Sequence, residues 1–129
     1  MDKKNHIQKG NYYIHFKGYL DSNQGTLDNP NLHYLYRVLE TNALHSENTE
    51  PYVVYRNVLS GQTWIRPLED FISEVDRAKY PNVPESITFR FTYIDDAILK
   101  HLCQTQNYNL TEINLNQLRQ AIDYILPEN

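Results

Sequence analysis

Period-two alternation in short runs, each closed by turn-forming residues, constrains this chain more than any other feature. Thr88-Phe89-Arg90-Phe91-Thr92-Tyr93 is the cleanest instance, with Phe89, Phe91 and Tyr93 expected inward and Thr88, Arg90 and Thr92 outward. Tyr12 to Lys17 repeats it, with Tyr12, Ile14 and Phe16 on one face and Tyr13, His15 and Lys17 on the other, solvent-facing one. Leu32–Thr41, Tyr52–Arg56 and Thr63–Arg66 are further strand-like runs, rich in aromatic and β-branched residues. Ile65 is the natural core residue of the last run, which leaves Trp64 and Arg66 projecting together. About five strands of this length predict a small barrel over an open sheet, because closure removes unpaired edges. Pro67 is well placed to start a single helical turn over Leu68 to Phe71.

After Tyr93 the pattern changes period. Asp95-Asp96 reads as a helix start, followed by the apolar stripe Ala97, Ile98 and Leu102. Asn114 with Gln117 resembles a capping box, Leu115, Leu118, Ile122 and Ile125 repeat at helical spacing, and Pro127 closes the segment. The expected class is therefore mainly β with C-terminal helices (α+β), as one domain. Residues 1–94 form the barrel, and 95–129 form a helical extension packed on it. A spare apolar face on those helices offers a second role, docking a partner or another copy of the chain.

Loops are marked as clearly as strands. Asp21 to Asn31 is a long connection for a compact domain, expected to be mobile or functional. Arg77 to Ser86 contains two prolines and no periodicity, so it is a loop as well.

Charge is unevenly spread within a net of −4. Residues 1–19 hold four lysines against Asp2, whereas 32–76 hold three arginines against seven acids. Binding to a phosphate backbone needs clustered cations, so net charge favours a protein or peptide partner over nucleic acid. Cys103 is the only cysteine, which rules out an intramolecular disulfide and any Cys-Cys zinc motif. No apolar stretch approaches the roughly 18 residues needed to span a bilayer, and the N-terminus lacks a signal-peptide core. The expectation is a cytoplasmic protein with no membrane association. The eleven tyrosines follow mostly from β-propensity.

Several blocks carry a family resemblance. Tyr13-x-His15-Phe16-Lys17-Gly18, Tyr36-Arg37-Val38-Leu39, His45-Ser46-Glu47-Asn48-Thr49-Glu50, Val53-Val54-Tyr55-Arg56, Trp64-x-Arg66-Pro67-Leu68-Glu69-x-Phe71 and Arg90-Phe91 occur in this order. Over about residues 10–94 the chain resembles the bacterial family called domain of unknown function 1653. The resemblance implies a small SH3-like β-barrel and no particular activity. Against that pattern, the 20–31 loop looks inserted and the helices after Tyr93 look added.

Candidate chemistry is sparse. His45, Ser46 and Glu47 are consecutive, and extended neighbours point to opposite faces, so they do not by themselves make a Ser-His-acid triad. They shape a hairpin turn, with Ser46 and Glu47 accepting backbone N–H bonds, or they form a recognition loop. A small hydrolase using His45 with a carboxylate is the enzymatic alternative. Trp64 and Arg66 together offer an aromatic plane beside a guanidinium, suited to stacking and to a two-pronged grip on a phosphate or carboxylate. Equally, Trp64 could cover the barrel end while Arg66 pairs with Glu69 or Glu47. With Tyr13, His15 and Lys17 nearby, the pair would line a cationic, aromatic groove. The leading reading is a non-enzymatic binding module whose ligand meets Tyr13, His15, Lys17, His45, Glu47, Tyr55, Arg56, Trp64 and Arg66. Nucleotide or nucleic-acid binding on the same surface is the alternative. No spacing suggests a metal site, and no phosphate-binding glycine loop suggests a cofactor.

Overall fold

The computed structural model describes residues 7–106. Five strands form one antiparallel sheet: β1 (Tyr12–His15), β2 (Leu35–Leu44), β3 (Pro51–Asn57), β4 (Thr63–Pro67) and β5 (Phe91–Ile94), in the order β4-β3-β2-β1-β5. Helix α1 (Leu68–Phe71) follows β4 and helix α2 (Asp96–Thr105) follows β5. The mainly β class with a following helix is therefore present. The expected helix over 114–125 lies outside the described residues.

The chain brings the two sheet edges back towards each other. Beyond α1 the backbone pairs at Glu74 with Phe89, just upstream of β5. Arg90 then acts as the seam. Its N–H donates to the Ser73 carbonyl (3.0 Å), and its own carbonyl accepts from the Phe16 N–H (2.8 Å).

Two apolar layers cover the two faces of the sheet, and this changes the expected polarity of β1. Tyr13 joins Val38, Val53, Tyr55, Phe71 and Phe91 in one layer. Tyr12, Ile14 and Phe16 belong to the other, with Leu32, Leu35, Val75, Val83, Ile87 and α2. Tyr13 is thus fully buried, not solvent-facing. Alternation reports faces, but it cannot say which face later segments cover. The strand also ends earlier than expected, because Phe16–Tyr19 winds into a 3-10 turn.

The covered face also differs from expectation in β4, β5 and α2. Ile65 is 63% exposed, not core, because Trp64 and Arg66 pair with Tyr55 and Val53 and so share the aromatic layer's face. Tyr93 is 48% exposed at the sheet's edge, while Ile94 is buried. In α2 the buried stripe is Leu99, Leu102 and Cys103, with Ile98 outward. Asp95 caps this helix, its side chain accepting from the Ile98 N–H (2.8 Å).

The 20–31 connection is tightly tied down. Tyr34 donates its hydroxyl to Asn23 Oδ1 (2.8 Å), the Asn31 N–H reaches the Gly18 carbonyl (2.7 Å), and Gln106 of the segment after α2 bonds Asn29 Oδ1 (2.9 Å). Gly25 is required by close approach. A Cβ there would collide with the Gly18 carbonyl oxygen and sit 2.6 Å from the Asn31 nitrogen.

Candidate functional site: a cationic cleft at the sheet seam

Where β1 ends, the His15 ring lies against Phe16 (4.5 Å between centroids) and edge-on to Phe91 (5.0 Å). Its Nδ1 accepts the backbone N–H of Lys17 (3.2 Å), which caps the turn that follows. An acceptor Nδ1 puts the ring proton on Nε2, leaving a neutral donor. Burial first, then the charges of Arg66, Lys17 and Arg90, push the His15 pKa down to about 3. The ring therefore stays uncharged at neutral pH.

Arg66 enters from β4. Its Nε donates to the Tyr55 hydroxyl (3.2 Å), and the guanidinium lies over the Phe91 ring (5.4 Å). Phe91 itself stacks on Phe71, centroids 4.0 Å apart and 6° from parallel, so the cation rests on a rigid aromatic floor. Arg66 Nη1 also pairs with Asp70 Oδ2 (2.7 Å), and Arg90 Nη1 meets Asp70 Oδ1 (2.8 Å). Burial works against the Arg66 charge, but Tyr55 and Asp70 outweigh it and hold its pKa above the ordinary value.

The remaining wall is the loop from Asp76 to Ile87. Arg77 organises it internally, donating to the carbonyls of Val83 (2.9 Å), Pro84 (3.2 Å) and Ile87. Asp76 Oδ1 accepts from the N–H groups of Ala78 (3.1 Å) and Lys79 (3.3 Å). Val83 and Ile87 anchor the loop in the core. This scaffold sets Tyr80 against Phe16 (4.8 Å), and the ammonium groups of Lys17 and Lys79 each lie 5.6 Å from the Tyr80 ring centre.

The result is a cleft of about 260 Å³ lined by His15, Phe16, Lys17, Arg66, Asp76, Lys79, Tyr80 and Arg90. A second hollow of about 360 Å³ shares Lys17, Lys79 and Tyr80, and runs on over Leu20, Ser22, Asn23, Tyr34 and Pro81. Four cations, Asp76 and the neutral His15 line the first cleft, and Asp70 pairs with two of the cations, Arg66 and Arg90. Such an arrangement can hold an anion.

Of the nine residues singled out in the sequence, His15, Lys17 and Arg66 meet in this cleft, with Tyr55 beneath Arg66. Tyr13 is buried, its hydroxyl accepting the Gln8 N–H (3.1 Å). Arg56 clamps the β3–β4 turn through the Gly61 carbonyl (2.8 Å). Trp64 is 47% exposed on β4 and does not line the cleft. His45 and Glu47 stand exposed on the β2–β3 hairpin. There His45 Nδ1 accepts the Glu47 N–H (3.1 Å) and Asn48 Oδ1 accepts the Glu50 N–H (3.1 Å). The turn is thus shaped by His45 and Asn48, where Ser46 and Glu47 were expected to be the acceptors. Among the described residues His45 has no carboxylate partner. Lys79, Tyr80, Asp70 and Arg90 are not among those nine. The basic-aromatic run Arg77-Ala78-Lys79-Tyr80 is the sequence signal for two of them, within the proline-containing loop.

Fold and site together define a small, mainly β domain with a cationic cleft where its sheet edges meet. The chain belongs to the family described as protein of unknown function (DUF1653), whose model matches residues 11–93. Helix α2 lies beyond that match. Neither the curated proteins nor the solved structures contain a match. No helix among the described residues is long and apolar enough to cross a membrane.

Proposed function

We propose that this protein is a non-enzymatic recognition module that holds an acidic segment of a protein or peptide partner in the seam cleft. One observation carries the reading: Lys17, Arg66, Lys79 and Arg90 come from four separate segments and converge on one concavity beside a neutral histidine donor. Scattered surface cations have no reason to be held this way, whereas a binding site does. The Glu74–Phe89 bridge supports reading the sheet as a small SH3-like barrel. A single cysteine fits a cytoplasmic setting. The net charge of −4 disfavours a nucleic-acid backbone as the ligand.

Calorimetric titration tests the proposal. A glutamate-rich peptide binds, a lysine-rich peptide of equal length does not, and binding weakens steeply at about 0.3 M salt. Replacing both Lys17 and Lys79 by alanine removes it. Absence of binding by the acidic peptide, or tighter binding of a single-stranded oligonucleotide, overturns the reading.

A further inference from the structure

Resting on that reading of the cleft, we infer that the group it holds is a phosphomonoester on a side chain of the partner, in preference to a carboxylate. The slot between the two arginines is already taken by a carboxylate, since Asp70 accepts from Nη1 of both Arg66 and Arg90. Of the two arginines, only Arg90 keeps an intact planar edge, Nε with Nη2, that could take two oxygens of an anion. A carboxylate gripped there has no oxygen left for the other donors of the lining side chains. These are the Lys17 and Lys79 ammonium groups, His15 Nε2–H and Arg66 Nη2. None of these arginine nitrogens bonds another described residue.

Charge points the same way. Four cations against Asp70 and Asp76 leave two positive charges. A phosphomonoester carries about 1.5 to 2 negative charges at neutral pH and three acceptor oxygens, whereas a carboxylate would neutralise only one cation. The Lys17 and Lys79 ammonium groups each lie 5.6 Å from the centre of the Tyr80 ring, and among the described residues neither forms an ion pair with a carboxylate. Both line the cleft and can meet a dianion there. The adjoining hollow over Leu20, Asn23, Tyr34 and Pro81 has no acidic lining, which leaves room for uncharged residues flanking the phosphorylated one.

The experiment compares four probes on the full chain by calorimetry. They are a pentapeptide bearing phosphoserine, its phosphotyrosine counterpart, its glutamate counterpart, and adenosine monophosphate. At least one phosphopeptide is expected to bind tenfold or more tighter than the glutamate peptide, with that advantage lost in Lys79→Ala. Equal binding of glutamate and phosphopeptides overturns this inference while leaving acidic-peptide recognition standing. Binding of the mononucleotide without the phosphopeptides overturns it as well. Silence from all four overturns both readings. Circular dichroism of Lys79→Ala, an exposed loop position, verifies that the variant is folded.

Discussion

Arg66 and Arg90 come from opposite edges of the sheet, yet their guanidinium groups end on the same carboxylate. Arg66 Nη1 lies 2.7 Å from Asp70 Oδ2, and Arg90 Nη1 lies 2.8 Å from Asp70 Oδ1. Asp70 therefore joins β4, α1 and the approach to β5 in one stroke, and orients both arginines towards the cleft. Because all three side chains are about one-third exposed, solvent screens the pairs. Asp70→Asn is expected to lower stability by about 1 kcal/mol, read as a fall in the urea midpoint with unchanged slope. An unchanged midpoint would mean that the bridge is ornamental.

His15 gives a pH signature. Unfolded, its ring takes a proton near 6.5; folded, only near 3. Between those values the unfolded chain binds more protons, so stability falls as pH drops through 6.5 and keeps falling towards 3. One such group contributes at most about 1.4 kcal/mol per pH unit. His15→Gln should flatten the pH dependence of the urea midpoint between about pH 6.5 and 5 relative to the parent. Parallel curves for the two proteins would contradict a buried, neutral His15.

The two apolar layers predict sharply different costs at Phe91 and Ile65. Phe91→Ala removes a stacked, buried ring from beneath Arg66 and should cost about 3–5 kcal/mol, enough to unfold a marginal domain. Ile65→Thr, on the outward face of β4, should change stability by less than about 0.5 kcal/mol. Thermal melts of the two variants decide whether β4 has been assigned its correct face.

Gly25→Ala tests the folding of the 20–31 connection. The new methyl group meets backbone on two sides, at Gly18 and Asn31, and neither can retreat as a side-chain tip would. A loss of about 1–3 kcal/mol is expected, against less than about 0.5 for Ser22→Ala on the same loop. Equal melting temperatures would show the loop to be loosely held.

Strand positions were legible in the sequence because local alternation and turn residues dictate them, and Tyr52–Arg56 or Thr63–Arg66 need no tertiary information. Which face is covered is a tertiary property. Tyr13 and Ile65 lie on the side opposite to that expected because the covering elements, α1, α2 and the 76–87 loop, are remote in sequence. The site was legible only where it touches strands, at His15, Lys17 and Arg66. Lys79 and Tyr80 sit in an aperiodic loop, and only the Arg77 hydrogen bonds and the burial of Val83 and Ile87 bring them into register with β1.

The central claim is that ligand binding occurs in the seam cleft, and amide-resolved NMR titration of the full chain tests it most directly. Adding the acidic or phosphorylated peptide should shift the amides of His15, Lys17, Lys79, Tyr80 and Arg90 together, while the 45–50 hairpin and Trp64–Ile65 stay still. Shifts confined to the hairpin or to β4, or no shifts at all, would contradict it.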